Sequence, residues 1–184
     1  DAYREGLPAE VSSDLDPLQE VRQRRQKLAH DRLVAVLDAA RHSACRRVLF
    51  ASSSSVYGNN RKVPFAETDP VDEPISPYAA TKRAGELICH TYAHLFGTSI
   101  ACLRLFTVFG PAQRPDLAIG KFMRLIAAGD PVPMFGDGTT SRDYTYIDDI
   151  VDGCLAAESR LRGEPEGFCR IWNLGGSHPV TLAE

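Results

Sequence analysis

Tyr78 and Lys82 stand four residues apart in the stretch Ser76-Pro77-Tyr78-Ala79-Ala80-Thr81-Lys82. On a helix that spacing places both on one face, one turn apart. Upstream, the serines Ser52-Ser53-Ser54-Ser55 follow the apolar run Val48-Leu49-Phe50-Ala51. Phenol, ammonium and hydroxyl are proton-handling groups. A free tyrosine, with a pKa near 10, is a poor base at neutral pH, and an ammonium held beside it favours the phenolate. A serine hydroxyl between substrate oxygen and phenol would complete a proton path. Along a strand Ser53 and Ser55 point to one side and Ser52 and Ser54 to the other. If the strand persists that far, one alternating pair faces the helix. Either half alone is weak, because Tyr-x-x-x-Lys arises by chance and serines after a strand also read as a loop. Their order (strand, serines, one loop, tyrosine-lysine helix) is what argues for a site.

Several elements must position these groups. Residues 1–20 lack periodicity and read as a loop or a poorly ordered terminus. From 22 to 42, Leu28, Leu33, Val34, Val36, Leu37 and Ala40 recur at helical spacing. Val48-Leu49-Phe50-Ala51 suits a buried parallel strand. A proline-rich acidic loop follows, and then a helix over 78–96, with Pro77 at its start and Gly97 at its stop. Residues 99–106 read as a second strand, so the pattern is parallel α/β. Beyond Gly110-Pro111 the sequence predicts a helix over 117–128, an extended piece at 132–135 and a strand at 144–147. Asp148 or Asp149 is expected to cap a helix reaching residue 160. A last strand at 170–174 and the opening of a helix at 179–184 complete the reading.

Composition narrows the partners. The chain has 184 residues, 43% hydrophobic and 24% charged, values ordinary for one domain with a sizeable core. A net charge of −3 gives no electrostatic case for nucleic acid or an anionic membrane. The basic run Arg22-Gln23-Arg24-Arg25-Gln26-Lys27 reads as a solvated helix face. The five cysteines are scattered, without a C-x-x-C pair, and the histidines show no ligand spacing. Zinc and a disulfide framework are therefore poor readings, and no metal is expected. No apolar run reaches the roughly 18 residues of a membrane span, and no signal peptide opens the chain. The expectation is a soluble, cytoplasmic protein.

Five ordered blocks carry a family resemblance. They are Phe50-Ala51-Ser52-Ser53-Ser54-Ser55-Val56-Tyr57-Gly58, Ser76-Pro77-Tyr78-Ala79-Ala80-Thr81-Lys82, and Leu103-Arg104-Leu105-Phe106-Thr107-Val108-Phe109-Gly110-Pro111. Phe135-Gly136-Asp137-Gly138 with Ser141-Arg142-Asp143-Tyr144 is the fourth, and Asn173-Leu174-Gly175-Gly176 the fifth. Over residues 25–184 the chain resembles the extended short-chain dehydrogenase/reductases, specifically NAD-dependent nucleotide-sugar epimerases and dehydratases. The resemblance implies an α/β fold, a partial Rossmann-like doubly wound parallel sheet with part of a small substrate-binding domain. Residues 22–110 would form the C-terminal half of the NAD-binding domain and 111–166 the nucleotide-sugar region. Residues 167–184 would form a returning strand and the start of a helix, with 1–21 a poorly defined segment.

The resemblance also implies roles. Tyr78 would be the catalytic acid/base, and Lys82 would lower its pKa and hold the nicotinamide ribose. Ser53, four before the tyrosine of the Val56-Tyr57-Gly58 block, would be the catalytic serine, with Ser55 the next candidate for substrate contact. Phe106 would border the nicotinamide and Thr107 would touch diphosphate or sugar. Phe135 lies in the segment that holds the base. Arg142 would pair with the diphosphate through its guanidinium fork, or simply form a surface ion pair. Dehydratases of this family carry acidic residues where Ser54 and Ser55 stand, so epimerisation fits better. Thr107 and the 110–116 segment resemble UDP-glucuronate 4-epimerases more than UDP-glucose 4-epimerases. Arg114 would then meet a sugar carboxylate, or remain a polar loop residue. The implied reaction inverts C4 of a UDP-sugar through transient oxidation to the 4-keto sugar, with NAD as cofactor and a homodimer as the full-length form.

One departure matters. A dinucleotide-binding half opens with a strand and a glycine-rich turn that brings pyrophosphate onto a helix N-terminus. Before Gly58 the only glycine is Gly6. About two βα units of about 30 residues each are missing from the pattern, and the expectation is a truncated chain that alone binds NAD weakly or not at all. Three readings stay open at this point: an epimerase with its remaining parts elsewhere, a non-catalytic or partner-dependent remnant, and a related NAD-dependent dehydratase or reductase.

Overall fold

The computed structural model describes residues 30–43, 45–134 and 136–182. The expected segment 1–21, the first turns of the helix expected from residue 22, and Phe135 lie outside the described residues. The first described element, α1, is helical over residues 30–41. The chain then runs through β1 (Arg47–Ser53), a 3-10 turn (Ser54–Tyr57), α2 (Pro77–Phe96), β2 (Ser99–Leu105) and β3 (Thr107–Phe109). Next come α3 (Ala118–Ala128), β4 (Ser141–Tyr146), α4 (Ile147–Arg162), β5 (Cys169–Leu174) and β6 (Pro179–Thr181).

Two small sheets result. The first has the order β1-β2-β5 and is wholly parallel. Its central strand β2, Ser99-Ile100-Ala101-Cys102-Leu103-Arg104-Leu105, is buried along almost its whole length, as expected of a parallel strand covered on both faces. One face packs Val48, Phe50, Ile100, Cys102 and Ile171 against Leu33 and Leu37 of α1 and Ile88, Cys89 and Ala93 of α2. The other packs Ala101, Leu103 and Trp172 against Cys154, Ala157 and Leu161 of α4. Helices on both faces make the sheet doubly wound. Each fully buried Leu or Ile contributes about 1.5–3 kcal/mol by leaving water. In the second sheet β4 pairs with β3 in parallel and with β6 antiparallel.

Local chemistry sets the ends of α2. The Ser76 side chain accepts a hydrogen bond from the Ala79 N–H at 3.1 Å, and Pro77 occupies the first turn, where its missing N–H costs nothing. Gly97, at φ 69°, closes the helix in the left-handed region and returns its N–H to the Ala93 carbonyl.

Two expectations are corrected. Residues 179–181 form a strand rather than a helix opening, because Pro179, Val180 and Thr181 find a pairing edge in Ser141–Asp143. Asp148 and Asp149 do not cap α4: the helix begins at Ile147, and the position before it is Tyr146, whose side chain makes no capping bond. The two carboxylates sit inside the first turn instead, with Arg160 and Arg162 in the last, both favourable to the helix dipole.

Candidate active site

The C-terminal end of β1 and the first turns of α2 build the site. Strand geometry stops at Ser53, so the expected alternation of Ser53 and Ser55 along a strand does not occur. Ser53 instead begins the 3-10 turn: its Oγ accepts the Ser55 N–H at 3.2 Å and the Ser55 hydroxyl at 2.9 Å. The turn, not the pleat, brings the two hydroxyls together. Ser52 is buried and points to the α2 face, where its hydroxyl donates to Glu86 at 2.6 Å.

Tyr78, Lys82 and Glu86 follow one another at four-residue spacing and so share one face of α2. Tyr78 is 44% exposed, and its hydroxyl has no partner among the described residues. The Lys82 Nζ donates to the Ala51 carbonyl at 2.8 Å and lies 5.6 Å from the centre of the Tyr78 ring and 5.5 Å from that of Phe50. Burial pulls the Lys82 amine below its ordinary value. An ammonium has three donors, so two remain open beside an open phenol.

One residue row deeper, Ser52, Arg104 and Asn173 lie side by side across the three strands. Arg104, 1% exposed, grips Glu86, 2% exposed, through two hydrogen bonds: Nε to Oε1 at 2.9 Å and Nη2 to Oε2 at 3.0 Å. Burial pushes the Glu86 carboxyl up. The bonds from Arg104 and Ser52 and the Arg104 charge outweigh that and hold it below the ordinary carboxylate range. Arg104 also stacks on the Tyr57 ring at 4.8 Å, and the Tyr57 hydroxyl donates to Asn173 Oδ1 at 2.7 Å. Tyr57 in turn stacks on Phe65, with ring centres 4.5 Å apart.

The other expected residues spread outward. Phe106 joins the two sheets; its N–H donates to the Leu174 carbonyl at 3.1 Å, and its ring stands 6.3 Å from Phe65. Thr107 opens β3 opposite Tyr144. Arg114 is exposed and pairs with Asp116 at 3.3 Å. Arg142 is exposed, its Nη1 donating to the Ser141 carbonyl at 3.0 Å. Neither arginine bonds to the Ser53, Tyr78 or Lys82 side chains, and no hydrogen bond joins Ser53 to Tyr78. Sequence reasoning missed Glu86, Arg104, Tyr57 and Asn173 as parts of the site's support. A signal was present in Arg104, a lone charge inside an apolar strand run.

Among the described residues no group of His, Cys, Asp or Glu is placed to hold a metal ion, and no helix is long and apolar enough to cross a membrane. A recess lined by Cys45, Arg47, Leu49 and Glu158 lies at the N-terminal end of β1, away from these groups.

Residues 30–175 match the family described as "Epimerase: NAD dependent epimerase/dehydratase family". UDP-glucuronate 4-epimerase 4 of Arabidopsis thaliana is 49% identical over 148 residues, covering 74% of this chain and 34% of that protein. The crystal structure of UDP-glucuronic acid 4-epimerase from Bacillus cereus in complex with NAD superposes with a TM-score of 0.72 at 36% identity, covering 82% of this chain and 47% of the other. The DesIV double mutant (dTDP-glucose 4,6-dehydratase) from Streptomyces venezuelae superposes with a TM-score of 0.74 at 28% identity, covering 86% and 47%. The chain spans under half the length of the curated relatives it matches. Fold likeness therefore extends to both reaction types, while the family match takes in both sheets up to Gly175. The chain belongs to the NAD dependent epimerase/dehydratase family.

Proposed function

We propose that these residues serve an NAD-dependent epimerase that inverts C4 of a UDP-sugar, with UDP-glucuronate the preferred substrate. One observation carries the reading: a half-buried Lys82 ammonium with two open donors, on the same helix face as the open Tyr78 phenol, anchored to the strand end that carries Ser53. That donor set fits a ribose diol on one side and a sugar hydroxyl on the other. NAD, when bound, would supply the hydride chemistry at C4 of the sugar.

The chain's own residues handle protons and orientation. Tyr78 Oη takes the proton of the C4 hydroxyl and later returns it, and the Lys82 charge favours the phenolate. Ser53 holds the sugar oxygen, with Ser55 holding the Ser53 hydroxyl in place. Phe106 would border the nicotinamide, Thr107 and Arg142 would meet sugar and diphosphate, and Phe135 the base. Arg114, held at the surface by Asp116, would turn to a sugar carboxylate; this supports an acidic sugar, as does the likeness to the Arabidopsis UDP-glucuronate 4-epimerase.

Incubation of a full-length form, one that includes the glycine-rich turn, with NAD and either UDP-glucuronate or UDP-glucose, followed by proton NMR of the sugar, tests the reading. C4 inversion is expected with both, faster by about tenfold or more for UDP-glucuronate. Net loss of water would identify a dehydratase instead, and no change in either sugar would overturn epimerisation.

A further inference from the structure

Glu86 shares the face of α2 that carries Tyr78 and Lys82, and it is the one of the three that is fully enclosed. Its two oxygens accept four hydrogen bonds. Oε1 takes Ser52 Oγ at 2.6 Å and Arg104 Nε at 2.9 Å; Oε2 takes Arg104 Nη2 at 3.0 Å and Arg83 Nη1 at 3.2 Å. An ionised carboxylate offers about four such positions, so none is left over. The bonds reach three separate elements: β1 through Ser52, β2 through Arg104, and the helix itself through Arg83. Arg104 is immobilised in turn by the Tyr57 ring and by the Glu67 carbonyl, 3.4 Å from Nη1.

We propose that Glu86, clamped by Arg104, is a positioning residue: it fixes the rotation of α2 about its axis against the end of β1. That rotation decides where Tyr78 and Lys82 stand relative to Ser53. The inference rests on the reading of Tyr78 and Lys82 given above.

The Phe50 ring against Gly85 sets how closely α2 approaches β1, but apolar contacts between helix and sheet are non-directional. A planar guanidinium fork on a carboxylate is directional, and the low-dielectric surroundings sharpen it. Lys82 reports the result one turn away, since its bond to the Ala51 carbonyl requires the same rotation. A buried ion pair is often replaceable by apolar residues without loss of stability. Stability and geometry can therefore be separated by experiment.

Three variants of a full-length form make the test: Ser52→Ala, Glu86→Gln, and the double variant Glu86→Leu/Arg104→Met. Three quantities are read: the urea midpoint, kcat against KM for UDP-glucuronate, and the rate at which an amine-acylating reagent labels Lys82, followed by peptide mass spectrometry. The double variant is expected to recover most of the urea midpoint lost by Glu86→Gln. In both, kcat stays about tenfold or more below the parent's, with KM within about twofold, since small misplacements of reacting groups are costly. Lys82 labelling changes by about threefold or more in each, and Ser52→Ala moves both readouts in the same direction by less. Ser52→Ala removes a single hydroxyl and keeps the test valid if Glu86→Gln does not fold. Parental kcat and parental Lys82 labelling in the folded double variant, or in Ser52→Ala when only that variant folds, would overturn the proposal. If the parent does not invert C4 while Lys82 labelling responds as described, the positioning role stands and the epimerase reading falls.

Discussion

Lys82 Nζ donates to the carbonyl oxygen of Ala51 at 2.8 Å, tying the second turn of α2 to the penultimate pair of residues in β1. Replacing Lys82 by Met keeps the stem and removes the charge. Catalysis that relies on this group is expected to fall by about 10²–10⁴-fold, the usual weight of positioned acid–base catalysis, as read by C4 inversion. The effect on folding runs the other way. Burial holds the folded Lys82 amine below the unfolded value, so the unfolded chain binds more protons between the two values, and stability rises with pH across that window. Urea midpoints measured from pH 7 to 10 should show that rise in the parent and lose it in Lys82→Met.

For Glu86 the slope is expected to change sign between the parent and a variant. Its folded pKa is depressed, so it contributes stability above the ordinary carboxylate value of about 4.3, and that contribution is lost as pH falls through the folded value. In Arg104→Met the carboxyl loses the bonds and charge of its main partner while burial remains, and it is expected to move up past its ordinary value. Stability should then fall as pH rises past about 4.3. At pH 7 the variant should be less stable by about 3–5 kcal/mol, the usual cost of leaving half of a buried pair. Urea unfolding measured from about pH 2 to about pH 7 covers both windows, the parent's below about 4.3 and the variant's above it.

Gly85 is set by space rather than by backbone freedom. A Cβ there would lie 2.3 Å from Cζ of Phe50, inside the contact between α2 and β1. Gly85→Ala should gain a little helix propensity and lose more to overpacking, a net cost of about 1–3 kcal/mol by chemical denaturation. Because the displaced helix carries Tyr78 and Lys82, turnover of the folded fraction should drop as well; an unchanged kcat would show that α2 can move without consequence.

Tyr57 and Asn173, 116 positions apart, share a 2.7 Å hydrogen bond. Asn173 is otherwise held by the carbonyl of Phe65 at 3.1 Å and by Glu67, which accepts its N–H at 2.9 Å. Tyr57→Phe keeps both ring stacks and removes one donor, leaving a partly enclosed oxygen unmet. A loss of about 1–3 kcal/mol is expected in equilibrium unfolding. Tyr57→Leu should cost more, since the Arg104 and Phe65 contacts go too.

Much of the first sheet was legible because its signals are local. An apolar run before the serines, a proline at the start of α2 and a glycine at its end are each read within a few residues. The pairing of Tyr78 with Lys82 followed from helical spacing alone. What escaped was long-range. Nothing near Glu86 says that its partner lies on β2, and nothing near Tyr57 says that its hydroxyl reaches β5. Strand ends were also hard to read: Ser54 and Ser55 have no residue type that stops a strand, and the turn is visible only once Ser53 is seen accepting from Ser55. The segment 179–181 went wrong because Pro179 followed by Val180, Thr181 and Leu182 suits a helix start as well as an edge strand. The pairing with Ser141–Asp143 decides it.

Phe106 is the only residue between β2 and β3, Tyr146 runs straight into Ile147, and residues 175–178 alone separate β5 from β6. Two of the three passages between the sheets, β2 to β3 and β5 to β6, are thus short, while the third, β4 to β5, runs through α4 and residues 163–168. The one-residue joint at Phe106 acts less like a hinge than like a weld, leaving almost no spare backbone between β2 and β3. A movement imposed on β3 by something seated near Thr107 is passed through Phe106 into β2, and thus to Arg104, within three residues. The support beneath Tyr78 and Lys82 is therefore continuous through the backbone with the second sheet.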